Sequence, residues 1–292
     1  GGTNGDPPLP AVMIDCHTHL WRVGEHIGPR FLAAAARCWG ARPEDLDVPP
    51  ERHTAAMAGV EAAIVLGFHA PHTDVVVPND WIAAYCRQAP GRWFGFASVT
   101  PVEPGAREEL ERAHQELGLV GLKLGPTYQN WHVADERAFP VYEYCQRQGL
   151  PILIHQATTF PREAPLRYAL PIQLDEVVIR FPELRIVLAH LGHPWEADAA
   201  VTVRKHPHLY ADLSGIHGRP WRFWQALITW VEYGVADRIL FGSDFPFFTP
   251  EATADGLRQV NRIVAGTALP RVPADVIDGI LERDPLAVLG LR

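Results

Sequence analysis

The 292-residue chain is poor in cysteine, in positive charge and in long apolar runs. Its four cysteines, Cys16, Cys38, Cys86 and Cys145, are scattered and form no CxxC, which argues against a cysteine zinc cluster and gives no disulfide framework. Lysine and arginine number 26 against 34 aspartates and glutamates, for a formal charge of −8, and no basic run occurs. Binding to a nucleic-acid backbone is therefore not expected. No apolar stretch reaches about 18 residues and no charged-then-apolar leader is present, so no membrane span is expected. No GxGxxG follows an apolar run either, which removes the usual dinucleotide loop. These absences leave a soluble, cytoplasmic protein acting on a small molecule, binding neither nucleic acid nor membrane and free to form a homo-oligomer.

What is present is a rhythm. Short apolar runs at 12–17, 62–67, 93–100, 120–124, 151–155, 185–190, 209–213 and 238–244 alternate with stretches of helical composition at 80–88, 106–117, 136–148, 174–181 and 224–233. Eight such βα units in a chain of this length fit an α/β fold of the TIM (β/α)8 type, distorted by an outsized first βα loop, better than an open sheet. That loop, 21–53, carries Pro29, Pro43, Pro49 and Pro50 and is expected to fold over the barrel mouth as a lid or pocket wall. Residues 1–11 read as a flexible arm and 12–292 as a single domain.

Chemistry gathers where strands end. The first run finishes in His17-Thr18-His19, whose two imidazoles, two residues apart on a strand, share a face and are spaced to grip a divalent metal. The fifth run ends in His155, the sixth in His190 and the eighth in Asp244. A TIM barrel builds its active site at the C-terminal ends of its strands. Parity supports the convergence: if Leu153, Leu188 and Leu240 point inward, so do His155, His190 and Asp244. Each residue alone is more often a capped loop histidine or a helix cap, but core packing does not select polar residues at four separate strand ends.

HxH after strand one, His after strands five and six, and Asp after strand eight together resemble the amidohydrolase superfamily. More narrowly, they resemble the amidohydrolase-related branch of aminocarboxymuconate semialdehyde decarboxylase, γ-resorcylate decarboxylase and lactone hydrolases. The likeness runs from Ile14-Asp15-Cys16-His17-Thr18-His19 through Gly121-Leu122-Lys123-Leu124 and Ala189-His190-Leu191-Gly192 to Phe241-Gly242-Ser243-Asp244-Phe245-Pro246. It implies one divalent metal, zinc first and manganese second, held by His17, His19, His155 and Asp244, with Asp244 and His190 as the catalytic pair. Lys123 stands where related enzymes carry a carboxylated lysine bridging two metals; a structural or substrate-anion contact is the preferred reading here, with a second metal as the alternative. Arg22 and Trp195 are weaker candidates for substrate contact, and Arg162 and Arg219 occupy similar loops.

The leading functional expectation is a metal-dependent hydrolase that opens a carboxylic ester, lactone or amide with a metal-activated water. The alternative is a metal-dependent, non-oxidative decarboxylase of an aromatic or unsaturated carboxylic acid. The intact His17 leans toward hydrolysis, because resorcylate-type decarboxylases often carry Glu there, although the aminocarboxymuconate enzyme keeps both histidines.

Overall fold

The protein is described from a computed structural model that covers Pro10 and residues 13–292. Apart from Pro10, the arm expected at 1–11 lies outside the described residues, as does Val12. Eight parallel strands form one sheet in sequence order: β1 Ile14–His19, β2 Ala62–Leu66, β3 Trp93–Ser98, β4 Gly121–Leu124, β5 Ile152–Ile154, β6 Ile186–Leu188, β7 Leu209–Asp212 and β8 Ile239–Leu240. The chain beyond β8 closes the ring on β1, where Cys16 and His19 donate backbone hydrogen bonds to Phe241 and Phe245, and Asp244 donates one to His17. Gly242 allows that approach, because a Cβ there would lie 2.9 Å from the Cβ of His17. The expected TIM barrel is thus observed.

Strand alternation sorts the apolar side chains into two layers. Ile14, Cys16, Ile64, Phe96, Leu153, Val187 and Leu240 pack with one another inside the ring, and Leu286 and Leu289 from the chain's end join them. Their neighbours along the strands, such as Val65, Ile152, Ile154, Leu188 and Phe241, face outward into a larger core under the surrounding helices. Each fully buried side chain of this kind contributes roughly 1.5–3 kcal/mol, so the barrel is a rigid frame for what stands on its rim.

The long first loop is more ordered than expected. It contains helices Pro29–Trp39, Pro43–Leu46 and Pro50–Ala56. Each starts with proline in its first turn, where a missing N–H costs nothing. Trp21, Phe31, Cys38 and Trp39 from this segment line the barrel mouth, so it is the expected pocket wall. No helix among the described residues is long and apolar enough to cross a membrane.

Candidate metal centre and substrate cavity

A bulge in β1 sets the site. Register with β2 shifts between Asp15 and Thr18, which breaks the alternation. Ile14 and Cys16 belong to the barrel interior, yet His17 and His19, one residue out of phase, line the cavity at the mouth. Asp15 holds the bulge: its Oδ1 accepts from the backbone N–H of His17 at 3.1 Å and of Ser243 at 2.9 Å, joining β1 to the loop after β8. Burial pushes the Asp15 carboxyl up to about 7 against hydrogen bonds from Ser243 and His17.

His17, His19 and Asp244 meet. Oδ1 of Asp244 lies 3.1 Å from Nε2 of His17 and 2.9 Å from Nε2 of His19. The donor atoms of the three lie within 4.8 Å of one another. Below them, Nδ1 of His17 is 2.9 Å from Oδ2 of Asp212, a carboxylate at the end of β7 whose other oxygen accepts from the backbone N–H of Ser214 and of His190. With Nδ1–H of His17 given to Asp212, its Nε2 faces Asp244 with a lone pair unless the ring is an imidazolium. The electrostatics agree. Burial alone would push His17 down, but the charges of Asp212 and Asp244 outweigh it and hold it up to about 9. Burial drives His19 down to about 4 despite Asp244. Two imidazole nitrogens and a carboxylate oxygen, one imidazole backed by a second carboxylate, are a donor set that fits a divalent cation, which would replace the proton His17 otherwise carries.

His190 reaches the cavity by a route that parity does not foresee. Val187 and Ala189 face the interior and Leu188 faces outward, so strict alternation would turn His190 away. Instead His190 and Leu191 adopt left-handed backbone angles, φ 59° and 52°, a conformation costly for non-glycine residues and concentrated at functional positions. Asp244 shares it at φ 63°. Nδ1 of His190 sits 2.8 Å from the carbonyl of Ser214, and Nε2 is 4.0 Å from Oδ2 of Asp244. Burial lowers the His190 pKa, with Asp244 opposing. Asp212, His17 and His190 also form a compact triad, but Ser214 and the carboxylate already satisfy it from beneath.

His155 lines the same cavity, its ring 5.1 Å from that of His190 and 4.8 Å from that of Tyr128. Its Nε2 is 2.9 Å from the carbonyl of Thr158, and it stands outside the cluster of His17, His19 and Asp244. Lys123 from β4 is only 2% exposed. Its ammonium lies 5.6 Å from the ring centroid of Phe68, and no hydrogen bond or ion pair reaches it among the described residues. Burial lowers it to about 8, with Asp244 and Asp212 opposing.

Two weaker expectations lie elsewhere. Arg22 does not line the cavity because its guanidinium pairs with Asp47 at 2.9 Å. Trp195 turns away as the residue before helix Glu196–Lys205. Arg219 is in the wall, stacked 5.0 Å over Trp39, whereas Arg162 is exposed outside it. Sequence reasoning missed Asp212, although a carboxylate inside the apolar run Leu209-Tyr210-Ala211-Asp212-Leu213 was a signal. It also missed Phe160, which joins Trp21, Phe31 and Trp39 of the expected wall, with Phe247 and Phe248, around a cavity of about 290 Å³.

Residues 14–291 match the model of the family described as Amidohydrolase. The 2-amino-3-carboxymuconate-6-semialdehyde decarboxylase of Dictyostelium discoideum is 25% identical over 199 residues, 58% of this chain and 55% of that protein, so the chain spans little more than half the length of this relative. The γ-resorcylate decarboxylase of Polaromonas sp. (strain JS666) is 26% identical over 223 residues, 61% of this chain and 67% of that one. A solved dihydroxybenzoic acid decarboxylase from Polaromonas sp. JS666, with bound manganese and the inhibitor 2-nitroresorcinol, has a TM-score of 0.68 at 20% identity, covering 96% of this chain and 97% of that one. At that identity the likeness speaks for the fold.

Proposed function

We propose, for a chain that belongs to the amidohydrolase family, the activity of a metal-dependent, non-oxidative decarboxylase of an aromatic or unsaturated carboxylic acid. This reverses the order expected from sequence, and what supports the reversal is that both relatives above are decarboxylases. The observation that carries it is the pairing, in one aromatic-walled cavity, of a histidine and aspartate cluster able to hold a cation with a buried lysine that has no ion-pair partner among the described residues.

His17, His19 and Asp244 would hold the cation, with His155 as the proposed fourth ligand, and zinc is preferred over manganese for this imidazole-rich set. Bound there, the metal supplies a Lewis acid that orients and neutralises substrate oxygens. The remaining work belongs to the chain. The ammonium of Lys123 receives an anionic group of the substrate, a charge-assisted contact strengthened by burial. Tyr128, Phe68 and the walls of Trp39 and Phe247 sandwich a planar body and exclude water. Asp244 and His190 carry the proton: delivered to the carbon that bears the carboxylate, it forms a C–H bond there. The electrons of the breaking C–C bond then restore the unsaturated system as CO₂ departs.

A second reading, hydrolysis of an ester, lactone or amide, is favoured by one observation. The Asp244–His190 pair at 4.0 Å is equally able to take the proton of an attacking water and steady the resulting oxyanion. Residues 12–292 are read as one domain of a cytoplasmic protein whose four cysteines are free thiols, acting on a small molecule as a monomer or homo-oligomer. Assaying dihydroxybenzoates for CO₂ release beside a lactone and ester panel separates the readings. CO₂ release without hydrolysis is expected, and hydrolysis without CO₂ release reverses the order.

A further inference from the structure

One polar chain in the cavity wall has no part in the chemistry above. His193, three residues after His190, lines the cavity. Its Nδ1 lies 2.6 Å from Oε1 of Glu196, a residue only 6% exposed. The other oxygen of Glu196 accepts from Arg222 at 2.8 Å, and the same guanidinium nitrogen donates to the carbonyl of Pro194 at 2.9 Å. Trp230 donates its indole N–H to the carbonyl of Glu196 at 3.1 Å, which fixes the first residue of helix Glu196–Lys205.

Every bond in this chain points one way. A carboxylate shared with a guanidinium can only accept, so Nδ1 of His193 carries a proton, and in the neutral ring Nε2 keeps a lone pair. No described residue hydrogen-bonds that nitrogen. A partly buried ionic chain of this kind contributes little net stability. Its selective gain lies in holding one ring in one tautomer and one orientation, as carboxylate–histidine pairs do at metal sites.

We propose that His193 contacts the substrate through Nε2, accepting a hydrogen bond from a hydroxyl or amino group distinct from the anion received by Lys123, with Glu196 and Arg222 as its positioning residues. A site that offers a fixed acceptor discriminates against an analogue lacking the donor, because the acceptor is then left buried and unpaired. The proposal deepens the decarboxylase reading and rests on it only for the choice of acid probes.

The test titrates manganese-loaded full-length protein calorimetrically with 2,6-dihydroxybenzoate and 2-aminobenzoate, each against its fluorinated counterpart. In the wild type at least one donor-bearing acid binds about tenfold or more tightly than its fluoro analogue. In His193→Phe that ratio falls to within about twofold, the loss falling on the donor-bearing acid. Glu196→Gln, which keeps size and shape, reduces the ratio as well while its melting temperature stays near wild type; it serves alone if His193→Phe does not fold. Nitrogen NMR of the wild type reads a protonated Nδ1 and a bare Nε2 that shifts when the acid is added. A wild type that binds no probe or binds both members of each pair equally, a ratio unchanged in the variants, or a bare Nδ1 overturns the proposal. CO₂ release is scored separately: a His193-dependent ratio without CO₂ sinks the decarboxylase reading alone, and CO₂ without that ratio sinks this one.

Discussion

The two sides of the barrel mouth differ in how their charges are satisfied. On the side of β1, β7 and β8, His17 and His19 face Asp244, and Asp212 backs His17, so imidazoles and carboxylates meet at about hydrogen-bond distance. On the side of β4 and β5 no carboxylate among the described residues pairs directly with the cation: Lys123 lies over the face of Phe68, and the hydrogen-bond partner of the His155 ring is a backbone carbonyl. On the proposed reading, one half is assembled to hold a positive ion before anything arrives, and the other stays short of negative charge until a substrate brings it. A cavity wall that leaves a buried ammonium unpaired bears a standing cost, and an anionic ligand removes it.

The contrast breaks most visibly at its hinge. Asp244→Asn, nearly isosteric, should keep the melting temperature and lose about 10³-fold in turnover, measured as initial rates on metal-loaded protein; near wild-type rates would remove Asp244 from the chemistry. Next, Asp212→Asn touches only the first side. Losing the partner that orients His17 should weaken metal binding by about 10–100-fold, read by competition with a chelator dye. Lys123→Met touches only the second side and should act oppositely on stability. KM for an acid substrate should rise by about tenfold or more, while the metal-free protein melts no lower than wild type because an unpaired buried charge has gone. A clear drop in melting temperature would mean that Lys123 is structural.

A smaller effect sharpens the comparison through pH. In the metal-free protein His17 is held up to about 9 by Asp212 and Asp244 against its own burial. A group with a raised pKa keeps its proton below that value, so an incoming metal has to displace a proton from His17 at neutral pH. Metal affinity should therefore rise by about tenfold per pH unit toward pH 9 and level off beyond it. Calorimetry in buffers of different ionisation enthalpy reads the proton released. Affinity that is flat from neutral pH to pH 9 would contradict the Asp212–His17 pairing.

Much of this was legible in the chain because strand ends carry their chemistry in short words. His17-Thr18-His19, His155, His190 and Asp244 stand immediately after apolar runs, and the barrel brings all of them to one cavity. What stayed hidden needed three-dimensional information. The bulge that puts His17 out of phase with Cys16 depends on an aspartate 228 residues away in sequence from the Ser243 amide it caps. Left-handed backbone at His190 and Leu191 has no clear sequence mark, since histidine visits it only occasionally and leucine rarely. The Glu196 partnership with His193 is visible as a spacing only once the start of a helix is known. The first loop is legible as a pocket wall, and its first helix has a sequence signal of its own: Pro29 followed by the alanine-rich run to Trp39 is a helix start with strong propensity.

The most direct test of the account is an anomalous diffraction experiment on crystals grown with zinc or manganese and an acid ligand. The account predicts one anomalous peak within coordination distance of Nε2 of His17, Nε2 of His19 and Oδ1 of Asp244, with the ligand's carboxylate beside Lys123. A peak elsewhere, or two peaks bridged by a modified Lys123, would contradict it.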